Sequence, residues 1–190
     1  MTTTEIDPRT LYTDALDWAA GLVAGVRADQ LHDPTPCTEL DVEGLLRHLV
    51  ATVDKFRAVG AGDSPLTKPF QVDPVADWPA ALTEARERMW TVWSDDAVLD
   101  TEVTVPWGSV PGRAAVWGYV NETLVHGWDL AVATGQPAEA PAELVLPVLA
   151  AARAMIPGGE REGFPFDPPV DPAATAGPTE QLANWSGRRS

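Results

Sequence analysis

The sequence predicts an all-α fold built as a bundle of helices, and three observations carry that expectation. Apolar residues recur at spacings of three and four through several separate segments. Asp, Pro and Gly residues stand where such segments should begin and end. One short stretch, Leu99 to Val105, instead alternates and is rich in β-branched residues.

The first helix is read within Ile6 to Val26, where Leu11, Ala15, Trp18, Leu22 and Val26 share a face. Pro34 and Pro36, in the loop that leads to Cys37, block its continuation. Asp41 then caps a second helix whose apolar face runs through Leu45, Leu49, Val53 and Phe56, and Gly60, Gly62 and Pro65 end it. A third helix uses Trp78, Leu82, Ala85, Met89 and Trp93, with Asp77 as N-cap and Pro79 tolerated in its first turn. The alternating stretch and the turn residues Pro106 to Gly112 read as a short extended segment or hairpin around 99–110. A fourth, long helix runs from Arg113 to Thr134 and stops at Gly135, a favourable residue just past a helix end. A fifth runs from about Pro141 to Met155. Prolines and glycines crowd the residues after Pro157, so 157–190 reads as a strap over the bundle with one terminal turn near Glu180 to Trp185.

The 190 residues, 45% hydrophobic and 22% charged, suit one globular domain spanning 1–190. Acidic residues outnumber basic ones 28 to 13, a formal net charge of −15, so nucleic acid and anionic membrane surfaces are not expected as partners. The densest basic spots, Arg86 with Arg88 and Arg188 with Arg189, read as solvated surface charge and a frayed end. Cys37 stands alone and rules out an intrachain disulfide, consistent with a reducing compartment. The first ten residues lack the basic and apolar regions of a secretory signal, and no window approaches a membrane span. A soluble cytoplasmic protein is expected.

The run Asn121 to Asp129 holds the most informative feature. Glu122 and His126 are four residues apart, so on a helix they project from one face. A carboxylate on an apolar stripe needs a partner, and a divalent ion shared with imidazoles would serve. Only three histidines exist, His32, His48 and His126, and His48 sits in the apolar arc of the second helix between Leu45 and Leu49. A three-ligand metal centre of His48, Glu122 and His126 follows, of the kind helical bundles hold in their cores. The plainer alternatives are a hydrogen-bonded core histidine at His48 and a chance surface pair at Glu122 and His126. Asp129 would accept the other ring N–H of His126, as metal-bound histidines require, or else be a surface acid. Trp117 and Trp128 read as core more readily than as pocket walls. Cys37 offers a reactive thiol or ligand, with a small buried side chain as the simpler reading, and His32 should face solvent. No phosphate-binding glycine loop, nucleophile elbow or CxxC pair is present.

Two segments carry a resemblance beyond spacing. Thr35-Pro-Cys-Thr-Glu-Leu-Asp-Val-Glu-Gly-Leu-Leu-Arg-His48-Leu-Val resembles the "TPCxxWxVxxLxxHL" opening of the actinobacterial DinB-like proteins related to the metal-binding domain of mycothiol-dependent maleylpyruvate isomerase. Glu122-Thr-Leu-Val-His126-Gly-Trp-Asp-Leu-Ala-Val-Ala-Thr-Gly is similar to their "ExxxHxWDLAxATG" motif, and Gly163 to Val170 to their "FGPPV" strap. Leu40 stands where the first motif commonly has Trp. The resemblance implies an up-and-down four-helix bundle, to which the fifth helical segment adds an extra helix. It also implies one divalent ion on the residues matching His48, Glu122 and His126, zinc foremost, with nickel, iron, cobalt or manganese fitting the same donors. It further implies mycothiol, a low-molecular-weight thiol, as cosubstrate, because coordination to a metal stabilises the nucleophilic thiolate. The second domain of the isomerases does not fit into 190 residues, so the expected function is a metal-dependent thiol S-transferase acting on a small electrophile. A non-catalytic metal or ligand binding module and a mycothiol-dependent isomerase stay open, as does a homodimer through any exposed apolar face.

Overall fold

The computed structural model describes residues 6–159, 161 and 166–189, and among these it contains seven α-helices, two three-residue 3-10 helices and one hairpin. Helices α1 (Pro8–Ala24), α2 (Val42–Gly60) and α3 (Trp78–Trp93) each begin behind an aspartate. Asp7, Asp41 and Asp77 accept the backbone N–H groups of Arg9, Gly44 and Ala80, donors that a helix start leaves without an intrahelical partner. A five-residue helix α4 (Asp96–Asp100) leads into strands β1 (Glu102–Val105) and β2 (Gly108–Pro111), paired antiparallel with Val103 opposite Val110. Helices α5 (Gly112–Thr134), α6 (Ala142–Met155) and α7 (Pro178–Trp185) complete the chain.

The four long helices close a ring. Helix α1 packs on α5 and α3, and α2 packs on the same two neighbours. The all-α architecture expected from the periodicity is thus the one observed. Helix α6 and helix α7 cover the outer side of α5, which is therefore surrounded. From Tyr119 to Ala131 every residue of α5 except Glu122 is buried, as expected of a helix apolar all round. The ring of Trp18 lies directly on Gly127, where any Cβ would overlap it, so the glycine beside His126 is what lets α1 and α5 approach this closely. Gly135, with φ at +68°, ends α5 in the left-handed conformation that glycine adopts without penalty.

Beneath the site, Phe56 of α2 stacks on Trp93 at 4.0 Å between ring centroids and meets Tyr119 at 4.2 Å. The Trp93 indole also donates to the Phe56 carbonyl at 2.8 Å.

Two expectations need correction. Leu99 and Asp100 are not extended but end α4, where Asp95 caps the turn through the Ala97 amide and Leu99 is buried. A single helical turn is too short to display a 3.6-residue period. The terminal turn is a full helix, α7, whose Leu182 and Ala183 are buried against its neighbours. Part of the strap motif, residues 163–165, lies outside the described residues. No described helix is long and apolar enough to cross a membrane.

Candidate metal centre

Helix α2 brings His48, and helix α5 brings Glu122 and His126, to one place. Their ligand atoms all lie within 4.8 Å of one another. His48 Nε2 is 3.2 Å and His126 Nε2 is 3.3 Å from the same oxygen, Glu122 Oε1, and the two imidazole rings meet edge to face at 4.9 Å. The histidine side chains are 6% and 7% exposed while that of Glu122 is 31% exposed, so the cluster opens to solvent on the carboxylate side. This is the single break in the buried stretch of α5.

The outer nitrogens fix the orientation of both rings. His48 Nδ1 is 2.9 Å from the Phe70 carbonyl, which only accepts, so Nδ1 carries the hydrogen. His126 Nδ1 donates to Asp129 Oδ2 at 3.0 Å, and Asp129 also accepts from Arg188 Nε at 3.0 and 3.1 Å. With each Nδ1–H committed outward, each Nε2 presents a lone pair inward, toward an oxygen that also only accepts. Three acceptors then face one point, and neither ring nor the carboxylate offers a donor to the others. A cation satisfies that arrangement, and two imidazoles with one carboxylate are the donor set that zinc and related divalent ions take. The residues present therefore fit a metal ion.

Without an ion, a proton takes its place. Burial alone would raise the Glu122 carboxyl, yet His126 and His48 hold it well below the usual carboxylate range. Burial opposes the His126 imidazolium, but the Glu122 charge and the Asp129 hydrogen bond outweigh it and push its pKa up to about 9. Thr52, one turn beyond His48, places its hydroxyl 3.4 Å from His48 Nε2.

Asp129 is no surface acid: its side chain is fully buried. Arg188, expected at a frayed end, is only 17% exposed and is Asp129's ion-pair partner. Nothing local could reveal that pairing, since the two residues are 59 positions apart and meet only because α7 folds back onto α5. Cys37 is half-buried, and its sulfur forms a second close group with His126 and Asp129, all within 4.8 Å. Burial raises the Cys37 thiol pKa, with Arg188 opposing and Asp129 adding to the rise. The Phe70 carbonyl was likewise invisible to spacing, because it comes from an irregular loop. His32 is 84% exposed, Trp128 is buried, and Trp117 packs partly buried against the core. A cleft of about 630 Å³ lies nearby in the chain but does not include the three converging residues. It is lined by Thr35, Thr38 and Leu40 of the loop that carries Cys37, Arg47 of α2, and Gln71 of the loop that carries Phe70, among others.

Residues 12–131 match the family model described as "Mycothiol maleylpyruvate isomerase N-terminal domain". Two proteins of Mycobacterium tuberculosis, "Uncharacterized protein MT0763" of strain CDC 1551 / Oshkosh and "Uncharacterized protein Rv0738" of strain H37Rv, are each 35% identical to the chain over 185 residues. Those alignments cover 96% of this chain and 98% of the relative. Two crystal structures of the mycothiol-dependent maleylpyruvate isomerase, one of them of a histidine-to-alanine mutant, share the fold with TM-scores of 0.59 and 0.54 at 15% and 19% identity. Each covers 75% of this chain, and the chain spans 66% of the isomerase.

Proposed function

The chain belongs to the mycothiol maleylpyruvate isomerase N-terminal domain family, and from that premise we propose that His48, Glu122 and His126 hold one divalent ion, zinc foremost, at which the protein activates a low-molecular-weight thiol. The thiol is mycothiol, and the reaction is transfer of its sulfur to a small electrophile. One observation carries this reading. Two imidazole nitrogens and a carboxylate oxygen converge, with both outer N–H groups already committed to Phe70 and Asp129. A divalent ion held there supplies the positive charge that keeps a thiol ionised near neutral pH.

The residues of the chain supply the rest. Phe70 and Asp129 keep both Nε2 lone pairs turned inward, so the donors need no rearrangement. Glu122, alone open to solvent on its stretch of α5, marks the side from which thiol and electrophile enter. The cleft beside the Cys37 loop is of a size to take the polar body of the thiol, with threonine hydroxyls and carboxylates on its walls. In the transfer, the thiolate forms a carbon–sulfur bond to the electrophile. A leaving group departs with the bonding pair, or, for an addition, the carbanion takes a proton from solvent.

The likeness to the isomerase structures favours a second reading, in which the thiol adds to an unsaturated acid and leaves again after rotation about the former double bond. The two differ in whether sulfur stays on the product. Metal-loaded protein incubated with mycothiol and a panel of electrophiles should give stable conjugates by mass spectrometry, faster than the His126→Ala variant does. Equal rates in the two proteins reject transfer at this site, and an isomerised product with mycothiol recovered unchanged selects the second reading.

A further inference from the structure

The chain carries 28 acidic and 13 basic residues, and several of its cations are held by carboxylates. Arg9 pairs with Asp7 and Asp96, Arg27 with Asp29, Arg88 with Asp54, and Arg188 with Asp129. Arg57 and Lys68 do not: among the described residues neither side chain makes an ion pair or hydrogen bond, though both are partly buried. Both line the same cleft. It has a volume of about 440 Å³, lies between α2, α3 and the loop at 68–72, and none of His48, Glu122 and His126 lines it.

The walls of this cleft suit an anion. Arg57 comes from the last turn of α2, Lys68 from the loop, and Arg88 from α3. Arg88 is held in place by Asp54, which takes its Nε and Nη2 at 3.0 to 3.2 Å. Its Nη1 faces Glu84 only at 3.7 Å. Asp54 is the one carboxylate among the lining residues, so three cations face one acid. Ala51, Pro69 and Val72 complete the walls with apolar surface, which strengthens the field of the charges beside it. A cation at the end of α2 has a second reason to be there, since it complements the helix dipole. Lys68, outside any helix, has none. The sequence scatters these three residues over 32 positions, so no basic run announces them.

We propose that this cleft binds the phosphoryl group of a small phosphorylated molecule, with the Arg57 guanidinium and the Lys68 ammonium as its direct partners and Arg88 as the fixed flank. A phosphomonoester is a dianion with three acceptor oxygens, and it matches two free multivalent donors better than a single carboxylate does. The volume exceeds that of a phosphate ion and leaves room for the organic part. The site is separate from the metal centre and independent of the thiol chemistry.

The test is an NMR titration of the full-length, metal-loaded protein with inorganic phosphate and with glucose 6-phosphate, at constant ionic strength set with chloride. Both ligands should give saturable shifts centred on the amides of Arg57, Lys68 and Arg88. The Arg57→Gln/Lys68→Gln variant, with an unchanged helical spectrum, should bind each about tenfold or more weakly. Four results would each overturn the proposal: shifts that do not saturate, shifts centred on His48 and His126, shifts kept in the double variant, or failure of glucose 6-phosphate to bind. Succinate binding as tightly as phosphate would overturn the assignment to a phosphoryl group.

Discussion

His126 donates its Nδ1–H to Asp129 at 3.0 Å, and Asp129 is in turn held by both contacts from Arg188 Nε. A fully buried carboxylate thus lies between an imidazole that faces the candidate metal centre and a guanidinium delivered by the last residues of the chain. The C-terminal segment is in this way tied to the orientation of one proposed ligand. Breaking the relay has two separable consequences. Asp129→Ala leaves a buried guanidinium and a ring N–H without partners, and should destabilise the fold by about 3 kcal/mol or more, read from urea unfolding. Asp129→Asn keeps an acceptor for the ring, and should weaken metal binding by about 10- to 100-fold in a chelator competition.

Arg188→Gln should act in the same direction as Asp129→Asn but more weakly on metal affinity, because it touches the ligand only through Asp129. An Arg188→Gln variant with a metal affinity and a melting temperature both equal to wild type would show that the tail merely rests on α5.

In metal-free protein the Glu122 and His126 pair sets a pH window for stability. His126 is raised from 6.5 to about 9, so its contribution is complete below pH 6.5 and is lost as pH rises toward 9. Glu122 is lowered from 4.5, so its contribution is present above pH 4.5 and is lost as pH falls into the acid range. Unfolding of chelator-treated protein should therefore show falling stability between pH 6.5 and 9, and the His126→Gln variant should flatten that slope. Because an ion must displace the His126 proton, apparent metal affinity should climb over the same interval.

Gly127→Ala probes the packing that seats the site. Its new methyl group would overlap the Trp18 ring, so α1 and α5 must separate, at a cost of about 1–3 kcal/mol. The companion change Trp18→Leu should relieve part of that cost in a double-mutant cycle, whereas strictly additive effects would place the strain elsewhere.

What could be read from the chain in advance depended on distance along it. Asp41, Asp77 and Gly135 mark helix ends through contacts within a few residues, and all three do so in the structure. Glu122 and His126 share a face for the same local reason, and the apolar arc around His48 pointed it inward. Phe70, Arg188 and Cys37 reach the site from loops and from the far end of the chain, through packing that no short-range period encodes. Asp96 to Asp100 was missed for the opposite reason, since one turn holds too few residues to show a period at all.

Metal content is the most direct test of the central claim that His48, Glu122 and His126 form one metal centre. Protein purified without chelator, or reloaded with zinc and desalted, should carry close to one divalent ion per chain by elemental analysis. His48→Ala, Glu122→Ala and His126→Ala should each lose most of it while keeping the helical spectrum. A wild-type ratio near zero after reloading, or full occupancy in all three variants, would contradict the account.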